Sequence, residues 1–146
     1  MGQQQLLLLV LGIVIVGLAV VVGIEAFSEN QKKANMDAMV SDALRITSDA
    51  QAWYLKPTAF GGGEGDFVGL TLGVLGYDTG STTTYSNINA YYGMSVASGG
   101  ASMTITGCDV PKTDLVRVTV AGPEEGDITT EPHGIKRGLY TASDCP

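Results

Sequence analysis

With 146 residues, the chain has room for one modest domain beyond a single membrane element, since domains commonly hold roughly 100 to 150 residues. Eight Lys and Arg against 15 Asp and Glu give a formal net charge of −7, so the basic stripe that phosphate-backbone binding needs is missing and nucleic acid is not an expected partner. Gly, Ser and Thr crowd the second half, which suits a turn-rich β domain rather than a catalytic α/β fold.

The chain opens MGQQQLLLLVLGIVIVGLAVVVGIEAF, with no charged side chain before Glu25. Leu6 to Ile24 consists of Leu, Val, Ile and Ala interrupted only by Gly12, Gly17 and Gly23. As a helix this run spans about 28 Å, the thickness of a bilayer core. A cleavable secretory signal is the alternative, but its apolar stretch is usually about 7 to 15 residues behind a basic start, and this one is longer and lacks that start. Lys32 and Lys33 would place everything after them in the cytoplasm by the positive-inside rule. The two cysteines disagree: Cys108 and Cys145 are an even count that reads as one disulfide, a bond that persists in oxidising compartments. A basic leader ahead of Met1, removed on maturation, reconciles the two signals; an uncut Met1 is the alternative.

From Ser28 to Lys56 there is no Gly and no Pro, and Met36, Val40, Ala43, Leu44, Ala50, Trp53 and Tyr54 recur at three- and four-residue steps. That periodicity predicts an amphipathic helix. With no breaker after Gly23 it continues the apolar run as one helix of about 50 residues, ended by Pro57 and the GGGEG of Gly61 to Gly65, a flexible hinge. The segments are then 1–27 (apolar helix), 28–56 (amphipathic continuation), 57–66 (Gly-rich linker) and 67–146 (β-rich domain). FVGLTLGVL (Phe67 to Leu75), ASMTITG and LVRVTVAG alternate as strands, clearest over Leu115 to Val120. Between them GYDTGSTTT and AGPEEGDITTEPHG read as connections, with Pro111 and Pro123 in loops where no ladder hydrogen bond is lost. The expected fold class is α+β: a long N-terminal helix whose amphipathic half is covered by about four antiparallel strands.

A charge-poor N-terminus, the run QLLLLVLGIVIVGLAVVVGI continuing into an amphipathic helix, a small β domain and a cysteine pair ending near the C-terminus together resemble the type IV pilins over the whole chain. The resemblance implies a leader cut by a prepilin peptidase, N-methylation of Met1, and a single-pass inner-membrane precursor with its domain outside the cytoplasm. It also implies partners: sister subunits in a helical extracellular filament, and the pilus assembly machinery. Cys108 and Cys145 would form the family's disulfide. The family's fifth mature residue is usually a glutamate that pairs with a neighbour's N-terminal amine, and here Gln5 stands there. A glutamine accepts a hydrogen bond but cannot neutralise the charge. Gln3, Gln4 and Gln5 would instead hydrogen-bond sideways between helices, or form a solvated interfacial end. If processing falls after Gly2, Gln5 loses that role. The family's mid-segment proline is also absent, leaving any local unwinding to Gly12, Gly17 and Gly23.

Chemistry is sparse. His133 is the only histidine, after Pro132 in a polar stretch, and supports no base–nucleophile pair or metal cluster. Glu124, Glu125, Asp127 and Glu131 lack calcium-loop spacing, so a solvated loop is the reading, with calcium as the alternative. GGGEG follows a helix, the wrong context for phosphate. Tyr91, Tyr92, Trp53 and Tyr54 read as core or contact aromatics. No enzyme, cofactor, metal site or small-molecule substrate is expected. The expected function is structural, a subunit of a pilus-like filament, with a pseudopilin of a secretion system or a membrane-anchored extracytoplasmic binding domain as alternatives.

Overall fold

A computed structural model describes residues 2–77, 84–109, 114–134 and 145, with backbone alone for 132–134. Met1, Pro111 and most of the GYDTGSTTT connection lie outside the described residues. One helix, α1, runs Gly2–Leu55, passing through Gly12, Gly17 and Gly23 without a break and stopping two residues before Pro57, where the proline ring disfavours helical geometry in the residue before it. The chain divides into two compact units, Met1–Ala34 and Asn35–Pro146. From Asn35 onward α1 therefore belongs to the globular unit.

That unit is α+β. Five strands, β1 (Thr84–Ser86), β2 (Tyr91–Val96), β3 (Met103–Cys108), β4 (Asp114–Val120) and β5 (Ile128–Gly134), form one antiparallel sheet in chain order. Period-two alternation sends Met103, Ile105, Val116, Val118 and Val120 toward the helix, where they meet Met39, Ala43, Ile46 and Ala50 in one core. Removing each large side chain among these from water is worth about 1.5–3 kcal/mol. Thr47 is also buried, and its hydroxyl donates to the Ala43 carbonyl at 2.9 Å, so this polar group is not stranded. Gln51 Nε2 donates to the Gly122 carbonyl at 3.1 Å, tying the helix to the β4–β5 connection.

The helical face differs in detail from the sequence reading. Leu44 is exposed, while Met39 and Ile46 supply the deepest contacts. The Phe67–Leu75 strand is absent. Gly69 and Gly76 sit at φ +85° and +86°, left-handed backbone that an extended strand excludes, and the segment folds into turns closed by Leu70 N donating to Phe67 O and Tyr77 N to Leu72 O, both at 3.1 Å. Its apolar residues still reach the core: Phe67, Leu70 and Leu72 are buried, and the Phe67 ring lies 4.7 Å from that of Tyr54. The polar stretch holding His133 is β5, which among the described strands lies at the edge of the sheet, the position that tolerates Pro132.

The expected hinge at Gly61 to Gly65 is hydrogen-bonded back onto the end of α1. Gly63 N donates to Trp53 O and Gly65 N to Tyr54 O, both at 3.0 Å, and Glu64 N donates to Lys56 O at 3.0 Å. Carbonyls left over at the helix C-terminus are satisfied this way. A side chain at Gly63 would collide with the Asp66 carbonyl and the Trp53 ring.

Tyr92 is the largest fully buried side chain among the described residues. It lies across from Gly107 in the β2–β3 register, and a Cβ at Gly107 would come within 2.9 Å of the ring. Because that ring is fixed at its far end by a hydrogen bond to the helix, it cannot swing away. Gly107→Ala is expected to destabilise the domain by about 1–3 kcal/mol, an overpacking cost, read as a lower thermal midpoint in near-ultraviolet circular dichroism.

Candidate functional site

The most extended surface feature of the described residues is an exposed apolar stretch of α1. From Leu6 to Ile24 every large side chain of α1 is 51–70% exposed. The stretch meets the length and composition needed to cross a membrane, with none of it buried. Soluble proteins rarely leave so continuous an apolar surface to water, and such a surface marks a membrane or protein contact.

Because α1 is unbroken, side-chain directions follow from about 100° per residue. Gln5, Gly12, Ala19 and Gly23 fall within about 40° of one another, a line of small residues headed by one amide. Nothing lies within contact distance of a Cβ built at Gly12, Gly17 or Gly23. On the opposite side Gln3, Leu6, Leu7, Val10, Leu11 and Val14 form a shallow apolar surface. Gly17 lies off the small-residue line, and Gln3, Gln4 and Gln5 fan around the helix rather than sharing one side. Ala19, four residues before Gly23, completes a small-x-x-x-small pair that permits close approach of another helix; the spacing was present in the sequence but hidden among so many apolar residues.

In the globular unit Cys108 of β3 is bonded to Cys145, with Cα atoms 5.8 Å apart. The acidic residues after β4 do not gather: Glu124 and Asp127 cap a short 3₁₀ turn reciprocally, while Glu131 lies across from Arg117 in the sheet. Among the described residues no group of three His, Cys, Asp or Glu side chains is placed to hold a metal ion. His133 Cα pairs with Leu115 in the β4–β5 ladder; its side chain and Met1 lie outside the described parts. Trp53 and Tyr54 are partly buried against the core, Tyr92 is within it, and Tyr91 is on the outside.

A polar cluster joins α1 to the turn between β1 and β2. Asp42 accepts hydrogen bonds from Asn87, Asn89 and Tyr92, and Tyr77 donates its hydroxyl to Asp49 at 2.6 Å. Burial, then the Asp49 carboxylate, raises the Tyr77 phenol above its usual value, and burial with the Asp42 charge does the same for Tyr92. Both therefore remain hydrogen-bond donors well into the alkaline range.

Comparison with known protein families, with characterised proteins and with solved structures finds no match to this chain. Its function must therefore be inferred from its own sequence and geometry.

The disulfide closes a loop of sequence separation 37, which in the chain-entropy account stabilises by about 4 kcal/mol. Reduction, or the pair Cys108→Ala and Cys145→Ala, is expected to lower the urea midpoint of the globular unit accordingly; an unchanged midpoint would show that the bond contributes nothing.

Proposed function

We propose that this chain is the structural subunit of an extracellular filament of the type IV pilus kind, held in a membrane by α1 before assembly and polymerised through the same helix. The observation that carries this reading is the fully exposed Leu6–Ile24 surface, small-residued on one side and Leu/Val-rich on the other. Lipid covers such a surface in the monomer. Sister helices cover it in a polymer, the bulky side of one fitting the small-residue line of the next. Two different patches meeting in this way make a heterologous contact, which propagates as a helix instead of closing. The disulfide supports a domain facing an oxidising compartment. Gln5, at the head of the small-residue line, supplies an interhelical amide hydrogen bond where a carboxylate would supply an ion pair. The peptidase and assembly machinery that act on pilins are its expected partners, and the cell surface its expected location.

Two substitutions separate anchoring from assembly. Gly17→Arg places a charge in a dry environment at a cost of about 2.5–3.5 kcal/mol or more per subunit, and sheared filaments should be lost. Gly23→Leu keeps the helix apolar, so membrane insertion should persist while filament yield in electron micrographs falls sharply. Abundant filaments from Gly17→Arg would overturn the proposal.

A further inference from the structure

The turn linking β1 to β2 is held from two sides, by its own asparagine and by the helix. Asn87 closes it on itself: its Oδ1 accepts from Asn89 N at 2.9 Å and Ala90 N at 3.0 Å, and its own N–H donates to Ala90 O at 3.0 Å. Three further hydrogen bonds converge on a single oxygen of the helix. Asp42 Oδ2 accepts from Asn87 Nδ2 at 2.8 Å, from Asn89 Nδ2 at 2.9 Å and from the Tyr92 hydroxyl at 3.1 Å. The turn's one large apolar side chain, Ile88, is 93% exposed and anchors nothing. Among the described residues strand β1 is Thr84–Ser86, paired to β2, and Tyr85 adds ring contacts to Tyr77 and Tyr92 at 5.1 and 6.0 Å. The hydrogen bonds that Asp42 accepts come from this turn and from the start of β2, with none from β3 or β4.

We propose that Asp42 is an acid-operated latch: its carboxylate holds the β1–β2 turn on α1, and protonating it releases that turn while the central sheet stays folded. An ionised carboxylate offers acceptor sites only and strengthens each bond it receives; the neutral acid loses the charge and places a donor among donors. The groups facing Asp42 leave it as the one that switches. Arg45, on the next turn of α1, brings a positive charge that favours the Asp42 carboxylate. Asn87 and Asn89 do not titrate, and Tyr77, Tyr85 and Tyr92 are phenols. Asp49, the other carboxylate nearby, is engaged by Tyr77 rather than by the turn. Arg45, Tyr77, Tyr85 and Asn87 with Ile46 line the small space beside Asp42.

The direction follows from the contacts. Burial on its own would raise Asp42, but the hydrogen bonds from Asn89, Asn87 and Tyr92, with the Arg45 charge, outweigh it and leave Asp42 below its ordinary value of 3.8. A carboxyl depressed in the folded state contributes stability above its unfolded value and loses that contribution as the pH falls through the folded one. The latch is therefore closed at neutral and mildly acid pH and opens only in strong acid.

The test is a pH titration of the full-length chain in detergent micelles, followed by proton–nitrogen correlation spectra from neutral pH to about pH 2. The side-chain amides of Asn87 and Asn89 and the backbone amides of Asn89 and Ala90 are expected to move together, with one midpoint below the ordinary aspartate range. Ile105 and Val118 should keep their positions. Asp42→Asn should show the released turn at neutral pH, with Ala90 amide exchange at least about ten-fold faster, and should abolish the acid transition; Asp49→Asn should retain it. The proposal is overturned if the turn amides pass through the carboxylate range unmoved, if they melt together with Ile105 and Val118, or if Asp49→Asn removes the transition.

Discussion

Everything in this molecule answers to one constraint: no water-solvated arrangement suits the side chains from Leu6 to Ile24, while those beyond Asn35 require water on one side. A single helix carries both demands. Its apolar segment is exposed all round, whereas its amphipathic segment packs on the sheet made by the same chain. Without the sheet, Met39, Ile46 and their neighbours would have nothing to pack on, since an isolated helix gains little from propensity alone. Without a membrane or sister helices, the first segment would drive aggregation.

The globular unit is small, and a few residues couple its parts. Tyr92 lies over Gly107, stacks near Tyr85 and reaches the helix through Asp42. It thereby links three strands to α1 through one side chain. Tyr77 repeats the device by bonding Asp49. These phenols give an apolar body to the core and a polar tip to the helix surface, a use suited to a domain with limited hydrophobic volume.

Much of the fold was legible because it is written in local periodicity. The helix, its stop before Pro57, and the alternation of β3 and β4 all follow from the spacing of apolar residues. The failures have physical causes. In Phe67–Leu75 the alternation is real, but Gly69 and Gly76 take left-handed backbone and turn the chain, so the apolar residues arrive in the core from turns. Pro132 made β5 look like a loop, although an edge strand can accommodate a proline. The apolar surface of α1 was evident from composition. The line through Gln5, Gly12, Ala19 and Gly23 needed the helix to be continuous. The Asp42 cluster was invisible, because Asp42 meets partners 45 to 50 residues away and no short motif records that.

Pro132 has a consequence for how this sheet meets other chains. An open sheet presents an unpaired backbone at each border, a template on which foreign strands can stack. Among the described residues one border is β1 and the other is β5, where the proline interrupts the row of N–H donors. At β5 that interruption breaks the continuous run that cross-β stacking requires. Crowding such domains together at high local density therefore meets, along β5, a backbone row that one proline has already broken.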